Sequence, residues 1–221
     1  MSPLLLVWRD KPGSNLLQNL SIKQLIYSSA LKLILAAQKV RSDHVWARFL
    51  IARFWYMWAV NAAASFAVLY GVKTVGLPER EVQVIFLLGI IAGIPSGALW
   101  GVLVDRYNPA NILKISVIGM LILLTITALI PILSLPSGLW ALIGIMSGIS
   151  LAGIYVAERP LIIRISPRNR IGEYFGLNSM SGRLAAIAGP FSWGMISVTL
   201  GMGQIAAVIW LVACVALSSI L

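Results

Sequence analysis

The chain has 221 residues, of which 59% are hydrophobic and only 11% charged, with a mean hydropathy of +0.92. A soluble domain of this size does not show that combination, so the composition reads as an integral membrane protein whose first partner is the lipid bilayer. The formal net charge of +10 does not point to nucleic acid, because the basic residues lie between apolar stretches rather than in a cluster with interleaved aromatics.

Cys214 is the single cysteine and His44 the single histidine, so the sequence offers neither an internal disulfide nor a cysteine/histidine metal site, and nothing in it implies a cofactor. No cleavable signal pattern opens the chain, since the short apolar run Pro3–Trp8 is followed at once by Arg9, Asp10 and Lys11. Residues 1–48 form a basic segment. Within it Leu20 to Val40 has apolar residues at roughly helical spacing with lysines between, which fits either an amphipathic helix on the headgroups or a solvated connector.

Residues 49–221 are expected to form an all-α domain of six membrane spans. The first, Phe54 to Val72, lies between Arg53 and Lys73 and is long enough for a hydrocarbon core of roughly 30 Å, with Trp55, Tyr56 and Trp58 at its entry as an aromatic belt. The second, Val82 to Val104, carries Gly89, Gly93, Gly97 and Gly101 at four-residue spacing. That places all four on one helix face, where a neighbouring backbone can approach closely, and the span ends at Asp105 and Arg106. Ile115 to Ala157 is free of charge and too long for one span, so a break is expected near Leu135-Pro136-Ser137-Gly138, with spans at about 115–133 and 139–157. Tyr174 to Val198 makes a fifth span and Gln204 to Leu221 a short sixth. Gly189-Pro190 marks a packing or kinking point in the fifth.

Of the 17 Lys and Arg residues, fourteen lie before Phe54, in the loop after Asp105, or between Arg159 and Arg170. Counting such residues on each side places both termini in the cytoplasm.

Polar residues inside the spans are the candidates for chemistry. Arg183 lies roughly 14 Å into the bilayer, where an unpaired charge costs from a few to about ten kcal/mol. Either it lines a water-filled cavity and holds an anionic group of a solute, or it snorkels to the headgroups or pairs with Glu158 or Glu173. Asn61 either joins helices or binds a ligand. Glu158 and Arg159 end the fourth span and are expected in an interfacial cluster with Asp105, Arg106 and Arg164. No aspartate or glutamate stands in the middle of an expected span. No nucleophile-histidine pair, phosphate loop or intramembrane carboxylate pair is present, so the sequence does not read as an enzyme.

GVLVDRYNPANIL at Gly101–Leu113 resembles the loop motif that major facilitator superfamily transporters carry between the second and third helices of each six-helix half. Together with ARFWYMWAVNAAASFAVLYG at Ala52–Gly71 and the block from Glu158 to Pro190, it is similar to the vacuole effluxer branch, the autophagy-related amino-acid permeases. The resemblance implies the C-terminal six-helix half of that fold, with residues 1–48 as the central cytoplasmic linker. It also implies a carrier of small polar solutes such as amino acids, working by alternating access with a second half or a second copy, in a bacterial plasma membrane or a vacuolar membrane. On this view Arg183, Asn61 and Trp58 would bind solute, while Gly101, Asp105, Arg106, Glu158 and Arg159 would form the gating loop. Gly89, Gly93, Gly97, Gly189 and Pro190 would pack helices. The chain departs from the family pattern at Trp58-Ala59, where an aspartate-glycine pair is usual, and at Asn108, where glycine is usual and which tolerates left-handed backbone. The lost acidic group and the finish at Leu221 fit a second expectation, a truncated or remnant membrane chain that acts at most as an interaction module.

Overall fold

The structure, a computed structural model, describes residues 43–136 and 138–221. The expected amphipathic helix and most of the basic segment lie outside them. Among the described residues six α-helices follow one another: α1 His44–Lys73, α2 Glu79–Arg106, α3 Pro109–Ile132, α4 Leu139–Ile165, α5 Ile171–Gly194 and α6 Gly203–Ile220.

Local chemistry sets several of the ends. Asp43 caps α1, its carboxylate accepting from the Val45 and Trp46 amides at 3.1 and 3.4 Å, so α1 begins before Arg53 rather than after it. Glu79 and Glu81 occupy the first turn of α2, where the helix dipole favours acids. Asn108 caps α3 through the Ala110 amide at 3.1 Å, with Pro109 opening the helix; its φ of −65° is ordinary extended backbone, not the left-handed geometry that the substitution for glycine suggested. The uncharged run breaks between Ile132 and Leu139. α4 continues through Pro160 to Ile165, which leaves Glu158 about two turns inside the helix instead of at its end. A π-helical turn, Met195–Thr199, follows α5. Gly201 and Gly203 then turn the chain into α6 at φ of 63° and 82°, a backbone region that strongly favours glycine.

The helices pack as two three-helix units. α1 lies along α5 and α6, α2 lies along α4, and α3 lies between α4 and α6, joining the units; α1 and α2 touch much less. Exchanging the first three helices with the last three maps the pairings onto themselves, α1 with α5 onto α4 with α2 and α1 with α6 onto α4 with α3.

Small residues allow the closest approaches. A side chain on Gly148 would overlap the Gly89 carbonyl, and a Cβ on Gly89 would stand 2.6 Å from the Gly144 oxygen. Gly189 likewise accepts the Trp58 backbone of α1. Gly93 is in ordinary range of Gly148, whereas Gly97 and Gly101 face open space: the α4 backbone closes on only the first part of the glycine face, and beyond it Trp100 Nε1 reaches across to the Ile149 carbonyl at 3.0 Å.

Four helices, α2, α3, α4 and α6, are long and apolar enough to cross a membrane. α1 and α5 have the length but are diluted, α1 by its tryptophans, tyrosines and Asn61, α5 by Asn178, Arg183 and several serines and glycines. Large apolar side chains on the outside, among them Ile122 and Ile187, suit lipid rather than water.

Candidate functional site

The most concentrated polar chemistry among the described residues joins α1, α4 and α5. Arg53 Nε donates to Glu158 Oε1 at 2.7 Å, and its Nη1 donates to the Asn178 carbonyl at 2.7 Å. Tyr56 OH donates to Glu158 Oε2 at 3.0 Å, and Asn178 Nδ2 to Oε1 at 2.9 Å. Both partners of the ion pair are over nine-tenths buried. Three donors converge on one carboxylate, and burial strengthens each contact. Gly182 makes room: a Cβ there would meet the Arg53 guanidinium at 2.9 Å. Close by on α5, Asn178 Oδ1 and Ser181 Oγ are buried without a hydrogen-bond partner.

This cluster bridges the two three-helix units, with Arg53, Tyr56 and Asn178 from one and Glu158 from the other. It lies towards the end of the bundle where Trp46 Nε1 donates to the Ile165 carbonyl at 3.0 Å, Arg164 Nη1 to Asn108 Oδ1 at 3.2 Å, and Arg48 Nη2 to the Leu221 carbonyl at 2.9 Å. At the opposite end Thr74 Oγ1 meets Gln204 Oε1 at 2.7 Å and Tyr70 OH donates to the Thr127 carbonyl at 3.0 Å.

Between these two layers a cavity of about 420 Å³ runs into the bundle. Small residues, Ala63, Ala64 and Ala67 of α1 and Gly89 and Gly93 of α2, form its sides. Tyr70, Trp140 and Trp193 stand at one end and Tyr155, one turn before Glu158, at the other.

The residues singled out by sequence are placed as follows. Trp58 Nε1 donates to Ser192 Oγ at 2.8 Å and Asn61 Nδ2 to the Met57 carbonyl of its own helix at 2.7 Å; neither lines the cavity. Arg183 is on the exposed side of α5 beside Leu184 and one turn from Ile187, with no ion pair among the described residues. Asp105, Arg106 and Arg159 are exposed, and Glu158 turns inward to Arg53 instead of joining them. Gly101 has open space around it, and Pro190 follows the closely packed Gly189. Sequence reasoning missed Arg53, Tyr56 and Asn178. The available signal was Asp43, whose capping chemistry starts α1 early enough to bring Arg53 about two and a half turns into a helix.

Long apolar helices packed through glycines around a cavity define a multi-pass membrane protein. The chain belongs to the Major Facilitator Superfamily, which residues 2–190 match. It is similar to the "Uncharacterized MFS-type transporter YxiO" of Bacillus subtilis (strain 168), with 22% identity over 162 residues, 73% of this chain and 36% of that protein. The chain thus spans little more than a third of the relative's length. No solved structure matches it.

Proposed function

We propose that the chain is a six-helix half of a facilitator-type permease of the vacuole effluxer kind, moving small polar solutes such as amino acids by alternating access with a second half or a second copy. The observation that carries this reading is the pair of exchange-related three-helix units enclosing a cavity, bridged at one end by Arg53 and Glu158. All six helices span the bilayer. The end bearing Arg106, Arg164, Arg168 and Arg170 faces the cytoplasm, where basic residues concentrate.

Arg183 is the leading solute-binding residue, since an exposed guanidinium on a membrane helix needs an anionic partner and a second half would supply the enclosure. Asn61 and Trp58 contribute from α1. Gly101, Asp105, Arg106 and Arg159 form the cytoplasmic gate, with Glu158 holding α4 to α1 behind it. The test is uptake of a labelled amino-acid mixture into proteoliposomes containing the chain and its partner half. Arg183→Ala is expected to abolish uptake with insertion unchanged, and undiminished uptake by that variant would refute the solute-binding role.

A further inference from the structure

A second hollow lies on the other flank of α2 from the cavity. Arg80, Glu81, Val84 and Leu88 of α2 line it, with Gly138 and Ala141 from the start of α4, and its volume is about 420 Å³. On a helix these α2 positions point away from Phe86, Gly89, Ile90 and Gly93, which line the cavity, and the contact of Ile85 with Gly144 separates the two spaces. The groove grades from charged to apolar along the helix. Arg80 and Glu81 stand exposed in the first turn, while Val84 and Leu88 lie about 6 and 12 Å further along, still 49% and 40% exposed. Neither charge forms an ion pair among the described residues, and Glu79, the other acid of that turn, accepts from Gln83 Nε2 at 3.2 Å. Since α2 is long and apolar enough to cross a membrane, its first turn sits at headgroup level, with Val84 and Leu88 at the depth of the acyl chains.

We propose that this groove seats a phospholipid with an ethanolamine headgroup, its phosphate against the Arg80 guanidinium, its ammonium against the Glu81 carboxylate and one acyl chain along Val84 and Leu88. An occupant must be polar at the rim and apolar below it, which is the pattern of an amphiphile, and the bilayer supplies one from the side. A guanidinium holds phosphate through charge-assisted hydrogen bonds. Glu81 then chooses among headgroups. It repels a lipid whose head is negative overall, such as one with glycerol on the phosphate, and the quaternary ammonium of choline has no N–H to donate to it. The ethanolamine ammonium carries both the charge and the donors that a carboxylate pairs with. The groove is complete within this chain and lies apart from the solute path.

The test is native mass spectrometry of the full chain in detergent with equal amounts of phosphatidylethanolamine, phosphatidylcholine and phosphatidylglycerol bearing the same acyl chains. The ethanolamine lipid is expected to be retained about 5-fold more than the choline lipid, with the glycerol lipid no higher than choline. Arg80→Ala is expected to lower the ethanolamine and choline adducts alike, and Glu81→Ala to bring the ethanolamine lipid down to the choline level. Both positions are exposed, so neither change removes a packing contact that folding needs. Equal retention of the three lipids, a preference for the glycerol lipid, or an ethanolamine preference that survives Arg80→Ala and Glu81→Ala would each overturn the assignment. Transport does not enter the readout, so such a failure leaves the permease reading standing.

Discussion

Arg53 on α1 and Glu158 on α4 are 105 residues apart in the chain and 2.7 Å apart in space, and their contact crosses between the two three-helix units. The two donors that α1 offers to Glu158, Arg53 and Tyr56, are not equally replaceable. Arg53→Met leaves a buried carboxylate without its cation, a change that typically costs about 3–5 kcal/mol. Tyr56→Phe removes one neutral donor to the same carboxylate and costs about 1.5–3 kcal/mol. Thermal unfolding of the purified variants is expected to show both destabilised, with Arg53→Met falling about twice as far. A larger loss from Tyr56→Phe would mean that the hydroxyl, not the guanidinium, holds the carboxylate.

The glycines of α2 and α4 divide into contacting and open positions. Gly148→Ala drives a methyl group into the Gly89 backbone and is expected to destabilise by about 1–3 kcal/mol as α2 is pushed from α4. Gly97→Ala has space and gains helix propensity, so it is expected to be neutral or stabilising by up to about 1 kcal/mol. Melting temperatures measured side by side check this, and equal losses at both positions would remove the distinction.

Orientation is open to labelling, because Cys214 is buried, leaving the native chain a quiet background for introduced thiols. A membrane-impermeant maleimide added to intact cells is expected to label Glu79→Cys and to spare Arg168→Cys until the cells are permeabilised. The reverse pattern would place the basic end outside.

Much of the helical framework can be read from the sequence because uncharged runs and proline-glycine breaks are local signals. The break around Pro136 is of this kind, as is the packing face of α2. Spacing says which face the glycines share but not how closely a neighbour follows it, and beyond Gly93 the contact of α2 with α4 passes from the glycines to Trp100. Charged residues mislead in another way. Treating Arg53 and Glu158 as ends of spans hides them, since what lets each lie inside a helix is a partner on a different helix that no local pattern reveals. The position of Asn108 shows a related limit: its side chain caps α3, a role that depends on the helix it precedes more than on the glycine it replaces.

The most direct measurement of whether Arg53 and Glu158 tie the two units together at one end of the cavity is a double-mutant cycle of Arg53→Met and Glu158→Leu followed by unfolding. Strong coupling is expected: each single variant loses several kcal/mol, and the double variant regains about 2 kcal/mol or more of the summed loss. Losses that add to within about 0.5 kcal/mol would contradict it, because residues that do not act on one another behave in that way.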